Sequence, residues 1–293
     1  MSDAKNISEL FDRNYRLLTQ EFPAFEKSKP AYVAAAYYTS EGNLIDPDTL
    51  GNACFLLKDL CDPFPALNGS GLLISATLLC NQQRDIESRL EDLSEICRKL
   101  NGHRESAGVT PASVFITEEN SNPLEWGSIY SAIRTLKHEA KSSFPDIAEL
   151  DPTLCTAIVL SGEDPEDMLS DIAELQKELK ALYGTKEDHT SAACMLSLCG
   201  GTSNEKAKAL KAYTDKLSSG SFLPVYISLL CTSESENSSE IIAEISSEMK
   251  KKKGFGLFSL SPAKRLALCA FASQKHSSNT QKLLALDHLC KNL

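Results

Sequence analysis

Short blocks of continuous apolar and small residues alternate along the chain with longer stretches in which apolar side chains recur every three or four positions. The short blocks lie at residues 32–38, 72–80, 112–116, 154–160, 192–199, 225–231 and 266–272, spaced by roughly 40 residues, the period of helical-hairpin arrays. Most mix Ala, Ser and Cys with Leu, Tyr or Met. In the longer stretches, Ile86, Leu90, Leu93, Ile96 and Leu100 share one helical face. So do Leu169, Ile172, Leu175, Leu179 and Leu182, then Ile241, Ile242, Ile245 and Met249, and finally Leu283, Leu284, Leu286 and Leu289. Glu, Lys, Asp and Ser fill the opposite faces, which predicts helices with one side in water.

The punctuation agrees. Pro30, Pro111, Pro152, Pro224 and Pro262 each precede a short block, and proline is pre-organised for the first turn of a helix. Thr110, Asp151 and Ser261 stand just before three of them as caps. Asn122-Pro123-Leu124-Glu125 and Asp164-Pro165-Glu166-Asp167 place cap, proline and acid in the order the helix dipole favours. Gly102, Gly184, Gly220 and Gly254 fall where long helices should stop. Residues 156–160 and 225–229 could pass as buried strands. Against this, Ala34-Ala35-Ala36 and residues 266–270 are poor in β-branched side chains, and first-position prolines suit helices better than central strands.

The expected fold is all-α: stacked helical hairpins forming an α–α superhelix or solenoid-like array. A single domain over residues 1–293 would consist of an N-terminal helix at 6–22, with Leu10, Phe11, Tyr15, Leu18 and Phe22 as its apolar side, and about seven hairpins from 30 to 293. A hairpin of this kind cannot bury its own apolar face and must stack on its neighbours.

Composition narrows the function classes. With 42% apolar and 24% charged residues in 293, the chain is globular in character. The net charge of −10 argues against a nucleic-acid partner, which calls for a basic stripe, and suits a basic or extended peptide. No apolar run approaches the ~18 residues of a membrane span, and the first six residues lead into a polar helix pattern rather than an export leader. The expectation is therefore cytoplasmic, with no membrane partner. The ten cysteines include no Cys-x-x-Cys pair, and the five histidines (His103, His138, His189, His276 and His288) are scattered. They predict no metal and no cofactor. Small thiols at helix–helix contacts explain them better.

Few residues invite chemistry. Lys250-Lys251-Lys252-Lys253 could hold an anionic group or an acidic partner, and also suits the last turn of a helix before the Gly254 stop. Gly200-Gly201-Thr202-Ser203 could offer free N–H groups to an anion, or simply turn the chain, with Thr202 or Ser203 as cap. Tyr37 and Tyr38 could line a groove or pack in the core. Trp126 reads as a packing anchor. No paired carboxylates, Ser/His/Asp set or His-Glu-x-x-His motif is present.

A proline-led apolar helix from Leu223 and Pro224, a Glu-bearing helix through Ile241 and Met249, the turn Lys253-Gly254-Phe255-Gly256-Leu257 and the Arg265-Leu266-Ala267 start of another helix form a pattern over the last quarter of the chain. It resembles the C-terminal signature of the bacterial domain-of-unknown-function 4003 family of Gram-positive bacteria. The resemblance implies a cytoplasmic bacterial protein and supplies no catalytic residue, cofactor or partner. The functional expectation is a binding or scaffolding module for a protein or peptide rather than an enzyme. The alternative is an enzyme or small-molecule-binding protein with a site assembled from dispersed residues, for which His138, His276, His288, Tyr37 and Tyr38 are the first candidates.

Overall fold

The computed structural model describes residues 3–26, 28–60, 70–80, 89–93, 96, 123–145, 147, 150, 152–184, 189–216, 238–251, 260, 262–273 and 279–292. These residues form twelve α-helices, one short 3₁₀ turn at Pro23–Phe25 and no strand. The helices are α1 Asp3–Glu21, α2 Lys29–Ser40, α3 Pro47–Leu60, α4 Ser70–Cys80, α5 Pro123–Ser143 and α6 Pro152–Leu160, then α7 Pro165–Tyr183, α8 Thr190–Ser197, α9 Ser203–Lys216, α10 Ser238–Lys251, α11 Pro262–Ser273 and α12 Asn279–Asn292. The protein is all-α, as the periodicity predicts. The short blocks at 112–116 and 225–231 lie outside the described residues, and so do the caps Thr110, Asn122, Asp151 and Ser261 and the glycines 102, 220 and 254.

Local signals account for the helix ends that are described. Asp164 accepts hydrogen bonds from the Glu166 and Asp167 N–H groups at 2.9 and 3.2 Å, and Pro165 follows it at the first helical position of α7. Gly184 ends that helix at φ +91°, its N–H donating to Lys180 O at 2.9 Å, in the left-handed region where a Cβ would be strained. Ser28 caps α2, with Pro30 in its first turn. Asp46 caps α3, accepting from Thr49 Oγ1 at 2.6 Å and from the Asp48 N–H at 3.2 Å.

Two layers result. The short helices α2, α4, α6, α8 and α11 form the inner one. In α2 every residue from 31 to 39 is buried, and in α4 every residue from 73 to 79. A helix apolar on all sides can be stable only when surrounded, and α2 is: it packs against α1, α4, α11 and α12. The longer helices α1, α3, α5, α7 and α10 cover this layer with one face each, and α9 packs on α7. In α1 the inward face is Ala4, Ser8, Phe11, Asn14, Tyr15 and Leu18, whereas Leu10 and Phe22 are only half-buried. Tyr15 stacks on Tyr32 of α2, with ring centroids 5.0 Å apart.

Helix α12 departs from its amphipathic pattern. Its polar positions Thr280, Gln281, Lys282 and His288 are buried together with Leu283, Leu284, Leu286 and Leu289. This helix sits in the inner layer, between α2 on one side and α6 and α8 on the other. Helices α10 and α11 lie against α1 and α2 in the same way. Helices from the two ends of the described chain, α1 and α2 with α10, α11 and α12, are thus neighbours.

Three buried polar side chains at these junctions are paired across helices. Buried Asn14 donates to Thr39 Oγ1 at 3.2 Å and Asn43 O at 2.9 Å, and accepts from the Ile45 N–H at 2.9 Å. It fixes the chain leaving α2 onto α1. Lys282 of α12 forms an ion pair with Glu41 at the end of α2, and its ammonium lies 4.3 Å from the centre of the Tyr37 ring. Gln281 donates to Leu198 O at 3.1 Å, tying α12 to the end of α8.

Candidate functional site

The clearest concavity with convergent polar groups opens where α6 and α8 end and α7 begins. It measures about 490 Å³. Its first wall is built by the turn after α6. Ser161 Oγ donates back to Ile158 O at 2.7 Å and accepts from the Glu163 N–H at 3.3 Å, and Gly162 turns the chain at φ +76°. Glu163 projects from this turn. Asp167 and Asp171 follow one helical turn apart on α7, so both carboxylates face the cleft. The second wall is the C-terminal end of α8, with Ser197, Leu198, Cys199 and Gly200, and Thr280 of α12 completes the lining.

The carboxylates are not equivalent. Asp171 is engaged: Lys206 Nζ of α9 lies 2.7 Å from its Oδ2, and Ser203 Oγ lies 2.7 Å from its Oδ1 and 2.9 Å from Glu174 Oε2. Glu163 and Asp167 are exposed at the mouth. Beside them, burial pushes the Cys199 thiol up to about 11; Lys206 opposes that shift and Asp171 adds to it. A neutral thiol is a weak nucleophile, and no histidine lines the cleft among the described residues. The chemistry this arrangement supports is therefore recognition of positive charge.

The turn leading into α9 explains Gly200-Gly201-Thr202-Ser203. Glu205 Oε2 accepts from the Thr202 N–H at 2.9 Å, and the Glu205 N–H reaches back to Thr202 Oγ1 at 3.4 Å. This reciprocal box caps the helix with Thr202. The Thr202 N–H, together with the Thr202 hydroxyl at 3.0 Å, donates to the Glu205 carboxyl and holds it below its usual range. Gly201 has φ +101°, and a Cβ there would meet Glu205 Oε2 at 3.3 Å.

The other candidates are dispersed. Tyr37 and Tyr38 are buried, with rings edge-to-face at 6.2 Å, so they pack the core rather than line an open groove. Burial raises the Tyr38 phenol well above its ordinary range, and the neighbouring Cys80 adds to the shift. Lys250 and Lys251 are exposed in the last turn of α10, where Lys251 pairs with Glu248 at 2.6 Å; Lys252 and Lys253 lie outside the described residues. His189 is buried with Nε2 2.9 Å from Gly184 O, and His288 is buried in α12. His103 and His276 lie outside the described residues. His138 is exposed on α5 beside a separate cavity. Trp126 is buried on α5 as an anchor. Among the described residues no group of three His, Cys, Asp or Glu side chains could hold a metal ion, and no helix is long and apolar enough to cross a membrane.

The sequence pattern did not single out Glu163, Asp171 or Lys206, and it marked Ser203 only as a cap or anion site. Asp167 and Asp171 stand at i and i+4, a spacing the reading of the chain did not take as a carboxylate pair, and the partners of Asp171 come from 32 and 35 residues further on. No protein-family model, curated protein or solved structure matches the chain.

Proposed function

We propose that this protein is a helical-array binding module whose acidic cleft recognises a cationic, extended segment of a protein or peptide partner. The observation that carries the reading is the placement of Glu163 and Asp167, both exposed, at the mouth of a cleft of about 490 Å³. The net charge of −10 favours approach of a basic partner. The cleft is walled by helix ends of a packed array, so its carboxylates are held on rigid elements before a partner arrives. A cytoplasmic setting, and kinship with the bacterial family whose C-terminal pattern the chain resembles, belong to the same proposal.

The test is fluorescence anisotropy with a short labelled peptide alternating Arg and Ala. Binding should saturate, weaken with added salt, and fall about tenfold in a Glu163→Gln/Asp167→Asn double variant, since each exposed pair contributes up to about 1 kcal/mol. Equal binding by the double variant, or equal binding of a Glu/Ala peptide, would overturn the proposal.

A further inference from the structure

From the cationic face of α5 we infer a second binding site, separate from the acidic cleft, for a small amphipathic anion: an apolar body ending in a phosphate or carboxylate. Arg134, Lys137, His138 and Lys141 are exposed and occupy positions i, i+3, i+4 and i+7, one continuous stripe. No carboxylate stands three or four residues from any of them in either direction. The stripe therefore sets like charges at helical neighbour spacing, which costs helix stability.

Helices α1, α9 and α10 do the opposite. Lys5–Glu9, Arg16–Asp12, Lys211–Asp215 and Lys251–Glu248 each pair a cation with an acid on the same helix. In a chain with 40 acids and 30 bases, an unbalanced cationic stripe runs against the composition. The helix dipole accounts for Lys141 in the last turn of α5 but not for Arg134, two turns earlier.

The stripe also edges a concavity. Lys137, His138 and Lys141 line a cavity of about 480 Å³, to which Ala140, Pro145, Ile147 and Leu150 add apolar surface. A second hollow of about 440 Å³, lined by Ser131, Arg134, Thr135 and His138, adjoins it at the shared histidine. Among the described residues no carboxylate lines either one. A cavity of this size suits a small organic molecule, and its mixed cationic and apolar lining matches a ligand with an apolar part and a negative end. Two cations flanking Ala140 would hold the charged group, while the ligand body covers Ile147 and Leu150.

The probe is decyl phosphate below its micelle concentration, titrated into the full chain by calorimetry. One-site saturable binding is expected. Lys137→Ala/Lys141→Ala should weaken it about tenfold or more, since two cation–anion contacts are lost. Lys137→Arg/Lys141→Arg should stay within about threefold, because the charge is kept. Lys5→Ala, on a distant helix, should change nothing. These side chains are exposed, so the variants should keep the parent melting temperature. Absence of saturable binding would overturn the inference, as would unchanged affinity in the double alanine variant. Equal affinity for inorganic phosphate would show that the apolar surface takes no part and would overturn the amphipathic ligand. Capture only by phosphatidylglycerol vesicles, or only by a polyglutamate peptide, would assign the stripe to a different kind of partner and equally overturn it.

Discussion

Lys282 joins the two ends of the chain, and replacing it tests whether that junction holds the array together. Its side chain is only 9% exposed and its partner Glu41 30% exposed, with the Tyr37 ring below the ammonium. Removing one member of a fully buried pair costs about 3 to 5 kcal/mol, because the other charge is left unpaired. Glu41 keeps part of its surface in water and can rehydrate, which reduces the figure to about 2 kcal/mol. Loss of the desolvated cation–π contact adds about 1 kcal/mol. Methionine keeps the buried aliphatic stem, so Lys282→Met opens no cavity. The expected loss is about 3 kcal/mol, or about 6 °C in melting temperature for a chain of this length. Urea unfolding followed by circular dichroism measures the first, and calorimetry the second. A double-mutant cycle with Glu41→Gln should give a coupling of about 1.5 kcal/mol or more. Hydrogen exchange should accelerate in α2 and α12 together, 241 residues apart at this contact. A variant within about 0.5 kcal/mol of the parent, or exchange that quickens in α12 alone, would refute the reasoning.

Asn14→Ala should cost about 3 kcal/mol, since the Ile45 N–H and Asn43 carbonyl both lose their buried partner; chemical denaturation reads it, and a loss under about 1 kcal/mol would show that water replaces the amide. Gly201→Ala should cost about 1 kcal/mol or more, because it places a Cβ at φ +101° against Glu205; a neutral result in a thermal melt would mean that the turn relaxes freely. Burial pushes the thiols of Cys54 and Cys199 up to about 11 and those of Cys80 and Cys269 up to about 12. Their folded values lie above the unfolded thiol range, so this contribution to stability is full below that range and is lost as pH rises towards 11 to 12. Melting temperature should therefore fall on the alkaline side, and a flat profile up to pH 11 would contradict it. The same four thiols should react slowly with a thiol reagent at neutral pH until denaturant is added, and rapid native labelling of Cys80 and Cys269 would overturn the packing account.

The cysteine pattern shows how far residue order alone carries. Cys155, Cys194 and Cys269 fall within short apolar helices, and all three are buried. Cys80 and Cys199 mark the ends of two such helices and are half-buried, each thiol set against a backbone carbonyl. That placement follows from periodicity, because a helix with no polar face must be enclosed whatever encloses it. Helix α12 is the counterexample. Its leucine spacing reads as one wet face, yet Gln281 and Lys282 are buried because α2 and α8 bring Glu41 and the Leu198 carbonyl to meet them. Those partners lie far off in the chain, and no local pattern encodes them.

The sequence by itself determined that the fold is all-α, that Asp164 caps its helix, that the described short apolar helices are enclosed, and that the net charge is negative. These depend on neighbours within a few residues and on composition. Only the tertiary structure decided that α1 and α2 meet α10, α11 and α12, that Tyr37 and Tyr38 serve the core, and that charge is sorted into an acidic cleft and a cationic stripe beside a cavity. Each of these depends on which helices meet, and burial with long-range pairing is a property of the packed chain rather than of any window along it.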